Sequence, residues 1–324
     1  MKINSTIILF YLNMLLGVVL SLSSNNWVMV WMGLEISLMS FIPLMIGDLI
    51  ISSECAMKYF IIQSMSSSIL ILGLMLMLMN SKLNFNLIIS LSMMIKMGMA
   101  PFHTWILSLI EGLSYMMLFN LFTLMKIVPM MITMNMNNNL NYLIMFSLIL
   151  GSVFGITQNS IRKILSYSSI FNMGFLVYSL SNFSLWFTYF SLYSINLFMF
   201  VLILKNNNIN YLNQFMINSF DMKFKLCIWA LMLSSGGMPP MMGFWAKFII
   251  IELSINMSDW LISMTMIFTS LLTMFYYNRM CYISMCISSL MTKWSMVYLS
   301  WLSLNVMVIN IIIMPFVIMS KYLN

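Results

Sequence analysis

The chain has 324 residues, of which 62% are hydrophobic and only 6% charged. A soluble domain carries about 25% charged residues, so this chain cannot clothe a globular surface in water and must face lipid over most of its length. Its net charge of +7 would suggest nucleic acid in a soluble protein; here the basic residues stand between apolar runs, where they set membrane topology instead.

Taken in order, apolar runs of about 20 residues, the length that spans a bilayer core, predict an all-α polytopic membrane protein of about eleven helices. The first span is 3–22. MKINSTIILFYLNMLLGVVLSLSS could pass for a signal peptide, but SLSSNNW is a poor cleavage site and similar runs recur, so it reads as a membrane helix. The second span, 27–47, holds Glu35 near its middle and Pro43; the third is 57–79. The fourth, 86–108, holds Lys96, Pro101 and the chain's only histidine, His103. The fifth, 112–133, places Lys126 three residues before Pro129. The sixth, seventh and eighth are 140–158, 163–181 and 184–204. The longest polar connection, KNNNINYLNQFMINSFDMKFK, follows at 205–225 and has room for a short interfacial helix. The ninth span, 223–251, is interrupted by SSGGMPP and carries Lys247; 260–279 and 294–317 complete the set.

These spans segregate the basic residues. Lys2, Lys58, Arg162, Lys163, Lys205, Lys223, Lys225, Arg279 and Lys293 fall on the N-terminal side, against Lys82 and Lys321 on the other. The bias assigns the N-terminal side as the cytoplasm-like one. The four cysteines, Cys55, Cys227, Cys281 and Cys286, form no CxxC pair, and one histidine gives little ligand support, so no zinc or iron–sulfur framework is legible. No GxGxxG fingerprint or P-loop occurs either.

Glu35, Lys96, Lys126 and Lys247 are left inside spans. Each costs at least ~2.5–3.5 kcal/mol at the bilayer centre, roughly 10 kcal/mol for the set before pairing. Snorkelling to the interface would explain Lys126 or Lys247 alone, but Glu35 is central and short-stemmed. Every one of the three lysines also sits beside a proline: Pro101, Pro129, or Pro239 and Pro240. Proline frees an upstream carbonyl and bends a helix, and such backbone survives at membrane depth only where protein or water satisfies it. KMGMAPFHTW and GGMPPMMGFWAKF lie five spans apart, a shift that reverses direction across the membrane. Two inverted five-helix repeats, 1–133 and 134–280, each with a broken helix, followed by a C-terminal helix at 281–324, fit a transporter architecture. The two segments nonetheless place lysine on opposite sides of proline. Burial and a movable carboxylate act in opposite senses on a lysine's proton affinity, so a lysine poised between them can load and release a proton. Metal ions favour oxygen-rich sites; proton transfer is the simplest use of this set. His103 is either a satisfied polar residue at a helix break or a further relay.

KMGMAPFHTW, SIRKILSYSSIFNMGF, SSGGMPPMMGFWAKF and AMKYFIIQSMSSSILILG closely resemble the chain 2 family of mitochondrial NADH–ubiquinone oxidoreductase, the antiporter-like membrane subunits of respiratory complex I. The resemblance spans nearly the whole chain. It implies that Glu35 faces Lys96 across a first half-channel, that Lys126 connects half-channels, and that Lys247 of the second broken helix is the proton outlet group. It implies a multi-pass place in the mitochondrial inner membrane, with the N-terminus in the matrix, other membrane-arm subunits as partners, and phospholipids, cardiolipin among them, around it. No cofactor is implied for this chain; NADH, FMN, iron–sulfur clusters and ubiquinone belong elsewhere in that assembly. Two departures stand out: the seventh span lacks an acid and the tenth lacks a central lysine. The 42 methionines fit an AT-rich mitochondrial gene of arthropod type. A self-contained cation/proton antiporter and a non-pumping scaffold are the alternatives.

Overall fold

Leu, Ile, Met and Phe runs fold as helices throughout the residues that the computed structural model describes, 5–47, 50–79, 85–136, 140–216, 222–239 and 241–286. The span expected at 294–317, with Pro240 and Pro315, lies outside them. The chain divides into two compact units, Met1–Leu143 and Ile144–Asn324.

The first unit holds α1 (Ser5–Ser23), α2 (Trp27–Met45), α3 (Ile50–Leu78), α4 (Phe85–Met97), α5 (Thr104–Leu109), α6 (Tyr115–Phe122) and α7 (Leu124–Asn135). α8 (Asn141–Ile156) crosses the boundary between the units. The second unit continues with α9 (Ile161–Ser179), α10 (Phe183–Asn206), a 3₁₀ turn (Leu212–Met216), α11 (Met222–Gly236), α12 (Met242–Asn256) and α13 (Trp260–Cys286). The 3₁₀ turn falls in the long polar connection, where a short helix was expected.

Six helical stretches among the described residues are long and apolar enough to cross a bilayer. The broken spans are not, for a geometric reason. At 1.5 Å per residue, 13 residues of α4 cover only ~20 Å of a ~30 Å core. α1 and α2 show how small residues pack such helices: a Cβ on Gly33 would lie 2.7 Å from the Gly17 carbonyl oxygen. The outer face of α1 presents Leu9, Leu12, Leu16 and Val19, as lipid demands. Many buried serines are satisfied inside their own helices, as where Ser37 donates to the Leu34 carbonyl at 2.8 Å.

Two differences from the sequence expectation have local causes. α3 begins at Ile50 rather than near 57, because Ser53 donates to the Ile50 carbonyl and Ser52 accepts the Gly47 N–H, so the polar SSE stretch extends a helix instead of ending one. The fifth span divides at Thr123, whose hydroxyl donates to the Phe119 carbonyl at 2.7 Å, with Pro129 a turn and a half further on.

The two broken helices stop in the same way. Gly98 has φ +67° and Gly237 φ +88°, the left-handed region that glycine alone enters without strain. Gly98 N–H donates to Ile95 O and Met99 N–H to Met94 O. Gly237 N–H donates to Ser234 O and Met238 N–H to Leu233 O. Each is the paired bonding of a Schellman cap, which satisfies two terminal carbonyls and leaves others bare.

Candidate functional site: two polar cavities at broken helices

What covers the bare carbonyls differs between the breaks, and this explains the opposite lysine placement. At the first, Trp105 Nε1 donates to Ile95 O at 3.2 Å and Gln63 Nε2 to Lys96 O at 3.5 Å. Neutral donors thus serve the backbone, and the Lys96 ammonium is free for another task. At the second, Lys247 itself returns from α12 to serve it. Its Nζ donates to Gly236 O at 2.8 Å, Ser235 O at 3.2 Å and Thr273 Oγ1 at 3.5 Å. A cation at the carbonyl end of a helix is favoured by the peptide dipoles, and Gly237 gives the stem room: a Cβ there would lie 3.1 Å from Lys247 Cδ.

In the first unit, Lys96 and Lys126 line one cavity of about 20 Å³, with Ser37, Tyr59, Gln63 and Trp105. At roughly 10–15 Å³ per water it has room for one or two. Both lysines are buried. Lys126 Nζ makes no hydrogen bond and lies 5.2 Å from the centre of the Phe122 ring, a cation–π contact that offsets part of the burial cost. Glu35, half-buried on α2, is not in the cavity wall, but Leu34 and Leu38 beside it are. Its charge acts on both Lys96 and Tyr59. The structure therefore brings three of the expected ionisable groups together: two in one cavity and the third in electrostatic reach.

In the second unit, Lys247 lines a larger cavity of about 50 Å³, room for several waters. Its other polar walls are Ser168 and Asn172 from α9, Tyr189, Tyr193 and Asn196 from α10, Ser234 and Ser235 from α11, and Tyr277 from α13. None of these is an acid, in line with the neutral seventh span. Where the tenth span lacks a lysine, Thr273 accepts from Lys247 instead.

His103 caps α5, half-exposed, with Nδ1 3.2 Å from Pro101 O, and lies off the first cavity. Lys225, placed above where the polar connection and the ninth span overlap, lies within α11 and is only 2% exposed, with Nζ unpartnered. The polar walls of the second cavity were also missed. Their signal was present: Tyr189, Tyr193 and Asn196 recur at steps of four and three along an apolar helix, which puts them on one face. Among the described residues, no three His, Cys, Asp or Glu side chains gather as a metal site would need.

The NADH:quinone oxidoreductase/Mrp antiporter transmembrane family matches residues 24–273. NADH-ubiquinone oxidoreductase chain 2 of Anopheles gambiae is 37% identical over 87% of this chain and 86% of its own length. The chain 2 of Locusta migratoria is 36% identical over 86% and 85%. Among solved structures, a chain of respiratory complex I from Thermus thermophilus with bound aureothin superposes with TM-score 0.84 at 18% identity, over 98% of this chain and 79% of that one. A chain of the Mrp complex from a Dietzia species gives 0.71 at 14% identity, over 84% and 59%. The last two share the fold; the mosquito and locust sequences fix the family. With its paired broken helices and buried lysines, the chain belongs to the NADH-ubiquinone oxidoreductase chain 2 family, within the NADH:quinone oxidoreductase/Mrp antiporter membrane proteins.

Proposed function

We propose that this chain is a proton-translocating membrane-arm subunit of respiratory complex I in the mitochondrial inner membrane. In this reading it has eleven transmembrane helices, in two inverted five-helix repeats (1–133 and 134–280) and a C-terminal helix (281–324), with its N-terminus in the matrix. Other membrane-arm subunits and inner-membrane phospholipids, cardiolipin among them, surround it. NADH oxidation and quinone reduction take place elsewhere in the assembly, and this chain turns their energy into proton movement. The observation that carries the reading is the shared break: two helices end in the same cap, and each break borders a polar cavity lined by buried lysine.

Glu35, Lys96, Lys126 and Lys247 carry the proton. A change in pairing or hydration at Glu35 and Lys96 alters how tightly Lys96 holds its proton. The shared cavity lets water pass that proton to Lys126, and Lys247 is the group from which it leaves. His103, away from the first cavity, is a side relay. Each charge moved against 100 mV costs about 2.3 kcal/mol, so the step runs only when coupled to quinone reduction. Lys96→Met in the assembled complex is expected to lower both the protons moved per electron pair and coupled turnover. A normal proton ratio would remove Lys96 from the pathway. The antiporter-like fold keeps one rival in play, a self-contained cation/proton antiporter; purified chain in liposomes that exchanges protons for cations without partners would favour it.

A further inference from the structure

Six hydroxyl groups line the cavity around Lys247, and five are already engaged. Tyr189 donates to Asn172 Oδ1 at 3.0 Å. Ser234 donates to Asn196 Oδ1 at 2.7 Å. Ser168 and Ser235 donate to the Leu165 and Met232 carbonyls. Tyr277 has Ser168 and Ser235 as hydrogen-bond partners. The sixth hydroxyl, on Tyr193, is buried and has no partner.

That exception needs a reason. A buried hydroxyl left unpaired is costly, and phenylalanine would fill the same space without the cost. No protein group takes it up: Tyr276, near enough to interact with it electrostatically, also has a buried hydroxyl with no partner, and the two are not hydrogen-bonded. The cavity itself is the remaining source, and its volume of about 50 Å³ holds several waters at roughly 10–15 Å³ each. Lys247 borders the same space; its three ammonium donors go to Gly236 O, Ser235 O and, at 3.5 Å, Thr273 Oγ1, and the last and longest is the bond a cavity water replaces.

We propose that the Tyr193 hydroxyl is a water-positioning residue for proton release from Lys247: it holds and orients the waters that accept the lysine's proton. The proposal rests on the reading of Lys247 as a proton-carrying group. The step balances without any co-reactant. Lys247 gives one proton to an adjacent water. That water passes a proton to the Tyr193 oxygen as the hydroxyl gives its own to the next water, so tyrosine ends neutral and unchanged. One donor and two acceptor positions suit a hydroxyl to this exchange. Tyr189 and Tyr277 lie near it and are themselves engaged with Asn172 and the serines.

The test is Tyr193→Phe in the intact, reconstituted complex, read beside Lys247→Met for protons moved per electron pair and for thermal stability. Tyr193→Phe is expected to assemble, to be at least as thermally stable as the parent, and to lose protons per electron pair. A purely structural hydroxyl would give the reverse pattern, lower stability with a normal ratio, and would overturn the inference. Failure to assemble would overturn it too, since a hydroxyl with no protein partner cannot be what folding needs. If Lys247→Met loses protons and Tyr193→Phe does not, the inference fails and the reading of Lys247 stands. If Lys247→Met pumps normally, both fall.

Discussion

Lys126→Met and Lys247→Met make a controlled pair. Each removes a buried ammonium, and each removes a ring contact of nearly equal length, 5.2 Å to Phe122 and 5.1 Å to Phe171. The relief of burying a charge and the loss of the cation–π contact therefore largely cancel in the comparison. What differs is the hydrogen bonding. Lys126 Nζ serves no acceptor, whereas Lys247 Nζ serves the Ser235 and Gly236 carbonyls at the end of α11. Unpaired buried carbonyls cost about 1–3 kcal/mol each. With cavity water replacing part of that, Lys247→Met should be less stable than Lys126→Met by roughly 2–4 kcal/mol. For a chain of this size that is a difference of roughly 4–8 °C in melting temperature. Thermal melting of the purified complex, followed by loss of this subunit, reads it. Equal shifts, or a larger loss for Lys126→Met, would refute the claim that Lys247 holds the broken helix together as well as carrying protons.

Other outcomes follow from the same geometry. Gly98→Ala should cost about 2–5 kcal/mol, from left-handed strain and overpacking, because its Cβ would lie 2.1 Å from Ile106 Cδ1; adding Ile106→Ala should recover part of the loss in a melting experiment. Trp105→Phe should cost about 1 kcal/mol, by freeing the Ile95 carbonyl, and an unchanged melt would show that the indole bond is dispensable. Gly33→Leu should split α1 from α2, since the backbones meet at Gly17 and Gly33, and native gels should show the subunit missing from the complex. Glu35→Gln should slow coupled turnover while leaving assembly intact, as its half-buried carboxylate acts on Lys96 through charge rather than through packing.

The breaks were legible because proline and glycine leave few alternatives. MGMAP and SSGGMPP announce interrupted helices wherever they stand in an apolar run, and both are interrupted. What the sequence could not say is who satisfies the exposed carbonyls. That depends on whether Trp105 and Gln63 arrive from other turns of the fold, or Lys247 from across the gap, and neither is a matter of spacing. Thr123 was opaque for a related reason: threonine is common in helices, and its effect here depends on a hydroxyl bond to Phe119 and a proline beyond it. The burial of Lys225 was not legible, because charge beside a polar connection normally faces water, while burial is decided by neighbours remote in sequence. Tyr193 is the subtler case. Tyrosine in a membrane helix usually marks an interface, and only the steps to Tyr189 and Asn196 hint that this one turns inward.

The role proposed for both cavities depends on water, so the most direct measurement is a structure of the assembled complex by electron cryo-microscopy, at a resolution that places ordered waters. The account predicts waters bonded to Lys96 and Lys126 in the first cavity, and to Lys247 and Tyr193 in the second. Dry, collapsed cavities, with these lysine side chains drawn away to the lipid interface, would contradict it and leave the chain as a scaffold.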